Sequence, residues 1–215
     1  MTSVRVVLAT RNAGKVVEVR RILAAEPRLA SLGIELVGLE DFPDAPEVDE
    51  TGDTFAANAL LKARAVAAYT GLAALADDSG LCVDALGGDP GIRSARWAAA
   101  PSDVGTADDL ANLRLVLVQV ADVPDIELGA HFACAAAFVV PDGRERVVEA
   151  AMHGRLVREP RGENGFGYDP IFVPDGADRT SAELTSEEKD ALSHRGKAFR
   201  AIAPVIAELL SDLPA

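Results

Sequence analysis

The chain has 215 residues, of which 49% are apolar and 5% aromatic, and carries a formal net charge of −13. That length suits one domain with a sizeable core. The acidic balance argues against a surface that holds a nucleic-acid backbone broadly, which needs clustered Lys and Arg. A small phosphate is still compatible: at an effective dielectric of 20, one opposite unit pair about 4 Å apart is worth roughly 4 kcal/mol, so a few converging lysines suffice. No apolar stretch reaches the length of a membrane span, and Arg5 and Arg11 interrupt any leader-like pattern in residues 1–12. Cys82 and Cys134 lie in apolar runs without metal-ligand spacing and read as buried free thiols. The expected setting is cytoplasmic, with no nucleic-acid and no membrane partner.

Residues 3–9 (Val4, Val6, Val7, Leu8) read as a buried strand, and 14–25 as a helix with Val16, Val19, Ile22 and Leu23 inward. Between them, Thr10-Arg11-Asn12-Ala13-Gly14-Lys15 is either an ordinary connection or an anion cradle, since a helix start presents backbone N–H groups and Lys15 adds a cation. It is not a Walker A loop, because Val16 follows Lys15 where Ser or Thr is required. Residues 34–39 form a second expected strand, and 40–53 an acidic loop in which Pro43 and Pro46 oppose helix. From 54 to 69 the pattern is helical, with Thr54, Asn58 and Lys62 on one face and Phe55, Ala59 and Val66 inward. Glu50 stands at the entrance to this polar stripe, where it could supply a second carboxylate to a cation held by Asp78.

In the next segment an apolar approach (73–76) reaches Asp77-Asp78-Ser79-Gly80 before an apolar run resumes at Leu81. Successive strand side chains point to opposite faces, so the two aspartates are expected to share a site through a turn, which Gly80 permits. Carboxylates so placed suit a hard cation such as Mg²⁺; the competing reading is a plain surface turn. Residues 85–92 form a glycine-dense loop. Residues 106–120 read as a helix with Thr106 and Asp109 as a capping-box pair and Leu110, Leu113, Leu117 and Val120 buried. Strands 131–140 and 146–153 are joined through Pro141-Asp142-Gly143, with His153 a surface residue at a strand end.

Within 162–172, three glycines surround Phe166 and Tyr168. An aromatic ring on such a backbone suits stacking on a base, worth about 1–3 kcal/mol; the alternative is a turn anchored by its aromatics, and Phe172 reads as core. Thr185 and Glu188 form a second capping-box pair. A last helix spans 195–210 with Phe199, Ile202, Ile206 and Leu209 inward and Pro204 expected to kink it. Lys189, His194, Arg195 and Lys197 make a local cationic cluster, either a solvated helix start or an anion site.

Taken together these stretches resemble the RdgB/HAM1 family of non-canonical purine nucleoside triphosphate pyrophosphatases, also called inosine triphosphate pyrophosphatases. The likeness runs through 9–15, Glu50-Thr51-Gly52 with Asn58 and Lys62-Ala63-Arg64, 76–81, Gly88-Asp89-Pro90-Gly91-Ile92 with Ser94-Ala95-Arg96, 165–170, Ala182-Glu183-Leu184-Thr185 with Glu188-Lys189, and 193–196. It implies an elongated α/β fold with a long mixed central sheet flanked by helices, two lobes with a cleft between them in a single domain over 1–215, and a homodimer. It also implies Mg²⁺-dependent hydrolysis of ITP, dITP or XTP to the monophosphate and pyrophosphate. Carried over by position, Asp78 matches the proton acceptor and metal ligand, and Glu50 the second acidic group at the metal. Thr10, Arg11, Asn12, Ala13, Gly14, Lys15, Lys62, Ser79 and Lys189 match phosphate or substrate contacts, and Phe166, Gly167, Tyr168, Asp169, His194 and Arg195 match base recognition. Arg11 departs from a place where Gly or Ser is common, and Trp97 from one where Tyr is.

The residues give the chemistry its own logic. Attack on the α-phosphorus needs a water opposite the leaving pyrophosphate, whose charge cations would neutralise. Arg195 is donor-only, so it can meet a 6-oxo group but faces the 6-amino group of adenine without an acceptor. Two competing functions remain: a Maf-like pyrophosphatase acting on pyrimidine or modified nucleotides, and a sensor that holds a triphosphate uncleaved.

Overall fold

The computed structural model describes residues 4–30, 32–99 and 108–211. Its strands are β1 (Val4–Leu8), β2 (Ile34–Gly38), β3 (Ala73–Val83), β4 (Gly129–Val139), β5 (Glu145–Leu156) and β6 (Phe172–Pro174). Its helices are α1 (Ala13–Ala24), the short α2 (Pro27–Ala30), α3 (Phe55–Thr70), α4 (Asp109–Gln119), α5 (Ser186–Leu192) and α6 (His194–Ser211). One six-stranded mixed sheet runs in the order β2-β1-β3-β4-β5-β6. In it β1 is parallel to both β2 and β3, and β5 is antiparallel to β6. This is the mixed α/β architecture expected. The β4–β5 connection is the expected hairpin, closed by Gly143 N–H to Val140 O at 2.9 Å.

The chain divides into two compact units. The first comprises Met1–Asp78, Cys134–Ala150 and Arg195–Ala215, the second Ser79–Ala133 and Ala151–His194. In the first, the sheet is apolar on both faces. Leu8 and Leu75 pack with Val19, Ile22 and Leu23 of α1 and Phe199, Ile202 and Ile206 of α6. On the other face Val7, Ala74 and Ala76 pack with Ala59, Ala63 and Val66 of α3. Period-two alternation along β3 thus sends odd residues toward α1 and α6 and even residues toward α3. The second unit has its own core, where Leu81 and Val83 meet Leu113 and Val116 of α4, Phe132, Met152, Ile171 and Phe172.

Local signals explain the helix starts. Asn12 caps α1, its Oδ1 accepting from Lys15 N–H at 3.0 Å, and Thr54 caps α3 through Ala57 N–H at 3.1 Å. The Thr185–Glu188 capping box of α5 is present in both directions. Thr106 lies outside the described residues, and α4 is capped by Asp108. Along α4, Leu113 and Val120 are buried as expected, but Leu110 is exposed and Val116 is the deeper residue. The glycine-dense loop runs into a 3₁₀ turn, Gly91–Arg96, that the sequence pattern did not suggest. His153 lies inside β5, its ring 5.3 Å from that of His131. Both cysteines are buried free thiols.

Candidate active site

The central expectation of a turn at Asp77-Asp78-Ser79-Gly80 is corrected. β3 continues through all four residues as one unbroken strand. Gly80 is needed for a different cause: a Cβ there would lie 2.3 Å from Gly91 O and 2.4 Å from Ser94 Oγ. Ser94 Oγ in turn accepts from Leu81 N–H at 2.9 Å. The glycine admits the 3₁₀ turn against the strand.

Because the strand is straight, its two aspartates leave on opposite faces. Asp77 points toward α1 and α6. Its Oδ2 lies 3.1 Å from Lys15 Nζ and 3.3 Å from Arg195 Nη2, and Arg195 Nη1 donates to Glu18 Oε2 at 2.6 Å. Asp77, Glu18 and Arg195 are all buried. Burial alone would raise the Asp77 pKa, but Lys15, Arg195 and Lys62 outweigh it and hold the carboxyl well below its usual range. Burial likewise opposes the charge on Arg195, and Asp77 and Glu18 more than restore it.

Asp78 points toward α3. Asn58 Nδ2 donates to its Oδ2 at 3.1 Å, and Lys62 Nζ lies 3.5 Å from its Oδ1 and 2.6 Å from Glu50 Oε1. The predicted stripe on α3 is therefore real, with Thr54 spent on the cap and Asn58 and Lys62 on the site. Asn58 is fully buried and also accepts from Gly52 N–H at 2.8 Å, which fixes the approach of the acidic loop carrying Glu50. Burial raises the Asp78 pKa; Lys62 opposes this, and the nearby Glu50 carboxylate adds to it. The Lys62 ammonium, disfavoured by burial, is stabilised by Asp78, Glu50 and Asp77.

Among the described residues no group of three or more His, Cys, Asp or Glu is gathered as a metal site. Asp78 and Glu50 nevertheless offer hard oxygens, and the Lys62 ammonium already rests against both. Two carboxylates of this kind fit Mg²⁺, which fills its remaining positions with waters and substrate phosphates.

At Thr10–Lys15, the helix start is exposed as the anion-cradle reading requires, and Arg11 is held by donation from Nη2 to Ala45 O at 2.8 Å. Lys15 is drawn to Asp77. Ser79 is partly exposed on β3.

The second unit gathers the aromatic loop. Lys189 Nζ lies 2.6 Å from Asp169 Oδ2 and 5.0 Å from the centroid of the Phe166 ring, so it is a buried partner of the loop. Tyr168 is buried with its hydroxyl on Ser94 O at 2.8 Å, while Phe166 and Gly167 stay partly exposed. His194 stacks on Phe132 with ring centroids 4.8 Å apart. Within this group Phe166 is the aromatic side chain that is not spent on the core.

The Ham1 family model matches residues 6–205. The chain belongs to the Ham1 family. It is 60% identical over 206 residues to the dITP/XTP pyrophosphatase of Streptomyces coelicolor, covering 96% of this chain and 98% of that one. The crystal structure of a nucleoside-triphosphatase / dITP/XTP pyrophosphatase from Mycobacterium abscessus is 51% identical, with 93% of this chain and 99% of that chain covered and a TM-score of 0.72. A HAM1 protein from Coxiella burnetii superposes with a TM-score of 0.81 at 38% identity, covering 95% and 99% of the two chains. The sheet and helices described above are thus those of Ham1 structures.

Sequence reasoning missed Glu18 and placed Asp77 beside Asp78 at a shared cation site, whereas Asp77 pairs with Lys15 and Arg195 on the opposite face. The signal for Glu18 was present: it lies three residues after Lys15 and four before Ile22, on the buried face of α1. A charged residue there needs a partner, and Arg195 supplies it from 177 residues away.

Proposed function

We propose that this Ham1 family chain hydrolyses non-canonical purine nucleoside triphosphates (ITP, dITP and XTP) to the monophosphate and pyrophosphate. The observation that carries this reading is Asp78: a buried carboxylate with a raised pKa, flanked by Asn58, Lys62 and Glu50. A carboxylate disfavoured as an anion is a better proton acceptor than an ordinary aspartate. Asp78 takes a proton from water as the water oxygen bonds to the α-phosphorus, and the bond from that phosphorus to the bridging oxygen breaks, releasing pyrophosphate. Lys15 and Lys62 supply positive charge to the polyphosphate, with the α1 start. Asp78 and Glu50 are the residues that would hold Mg²⁺, which when bound neutralises phosphate oxygens. Phe166 offers its face to the purine.

For selectivity, His194 and Arg195 are the candidates to read the 6-oxo group. Arg195 is held by Glu18 and Asp77, so reading the base means exchanging one of these acceptors for the exocyclic 6-oxo oxygen. Adenine, with a donor at that position, gives no such exchange. We further propose that the protein works as a cytoplasmic homodimer. Among the described residues no helix is long and apolar enough to cross a membrane.

The test is incubation with ITP, XTP, GTP, ATP, dUTP and dTTP in Mg²⁺, with pyrophosphate and orthophosphate measured separately. Pyrophosphate from ITP and XTP, with little from ATP, is expected. Orthophosphate alone, a preference for the pyrimidines, or no cleavage would replace this reading.

A further inference from the structure

Three consecutive residues of the aromatic loop are each held by a different group. Phe166 N–H donates to Asp169 Oδ2 at 2.9 Å, the Tyr168 hydroxyl to Ser94 O at 2.8 Å, and Gly167 N–H to Asp109 Oδ2 at 2.8 Å. The first two anchors are buried, and Asp169 is further fixed by Lys189. The third is an exposed carboxylate on the first residue of α4, 58 residues away in sequence. Gly167 has φ of 63°, a conformation that few side-chain-bearing residues adopt. Its N–H is the donor that leaves the loop for Asp109.

We infer that Asp109 is a positioning residue for base recognition, acting through the Phe166–Gly167 peptide to set the orientation of the Phe166 ring. The inference rests on the reading of Phe166 as the purine platform. A charged acceptor on a backbone N–H forms a bond roughly twice as strong as a neutral pair. Asp109 has a second, blander use, since a carboxylate in the first turn favours the helix through its dipole. The two uses respond differently to substitution: Asp109→Ala and Asp109→Asn both remove the charge, but Asn keeps an oxygen acceptor.

Steady-state kinetics with ITP and hydrogen exchange at the Gly167 amide test this on the full chain. Asp109→Ala should raise KM about tenfold and speed exchange at Gly167, with kcat within about twofold of wild type. Asp109→Asn, which keeps a neutral acceptor, should show clearly smaller changes than Asp109→Ala in both. Equal losses in the two variants would assign Asp109 to the helix dipole and overturn the inference. So would faster Gly167 exchange with an unchanged KM. If Asp109→Ala proves unstable, Asp109→Glu keeps the charge and displaces the acceptor; it should also raise KM, and a wild-type KM there overturns the inference. A wild-type protein that releases no pyrophosphate from ITP would remove the proposed function and this inference with it, whereas the Gly167 exchange reports the tether without any substrate.

Discussion

The two faces of β3 in the first unit hold one aspartate each, and their surroundings drive these carboxylates in opposite directions. On the α1 and α6 side, Asp77 meets Lys15 and Arg195 and is held ionised. On the α3 side, Asp78 shares Lys62 with a second carboxylate, and burial prevails. Both are buried to nearly the same degree, at 2% and 5% exposure, so depth does not separate them. The count of cations against anions does: Asp77 is surrounded by an excess of positive charge, whereas Glu50 competes with Asp78 for its cation. One carboxylate is held charged within a network; its neighbour is disfavoured as an anion.

Neutralising each in turn is the strongest way to break this contrast. Asp78→Asn should reduce pyrophosphate release from ITP on the order of 10²-fold or more, while chemical denaturation without metal shows stability at neutral pH that is kept or raised. The sign follows from linkage. A folded pKa above the usual 3.8 means that stability falls as pH rises from 3.8 through the folded value, and the neutral isostere escapes that loss. Asp77→Asn should do the reverse, costing about 3–5 kcal/mol by leaving buried cations short of a partner. Its folded pKa lies below 3.8, so its contribution is present above 3.8 and lost as pH falls below it. Similar stability for both variants would dissolve the distinction.

The contrast also depends on a straight β3, which Gly80→Ala probes at smaller cost. Its Cβ would press on backbone and on Ser94, so a loss of about 1–3 kcal/mol in urea unfolding is expected; full tolerance would mean that the strand can shift. The smallest effect comes from a surface counterpart of Asp77. Arg179, with the Thr185 N–H, holds the exposed Glu188 carboxyl down at about 2. Its contribution is present above the usual 4.5 and lost as pH falls toward about 2, so Glu188→Gln should flatten the unfolding profile slightly across that window.

Where local pattern and burial agree, the sequence was readable. The inward residues of α1, α3 and α6 were legible from helical spacing, and both the α3 stripe and the α5 capping box from side-chain chemistry at fixed offsets. What escaped was set by distant partners. Gly80 looked like a turn residue because a glycine beside two aspartates is one locally, and only the Gly91–Arg96 turn across from it gives the actual reason. β6, three residues long, is a strand by virtue of its pairing with Gly154, Arg155 and Leu156, and no periodicity can announce it. In the site, Asp78, Glu50 and Lys62 were found together. Lys189 was carried over by family likeness as a phosphate or substrate contact, and its pairing with Asp169, 20 residues away, could not be read from spacing.

Neither compact unit is one uninterrupted length of polypeptide: the chain crosses between them after Asp78, Ala133, Ala150 and His194. Any chimera that grafted the second unit of a relative onto the first unit of this chain would need four splices. Two of those joints fall immediately beside Asp78 and Arg195, so such an exchange would cut into the buried charge networks on both faces of β3.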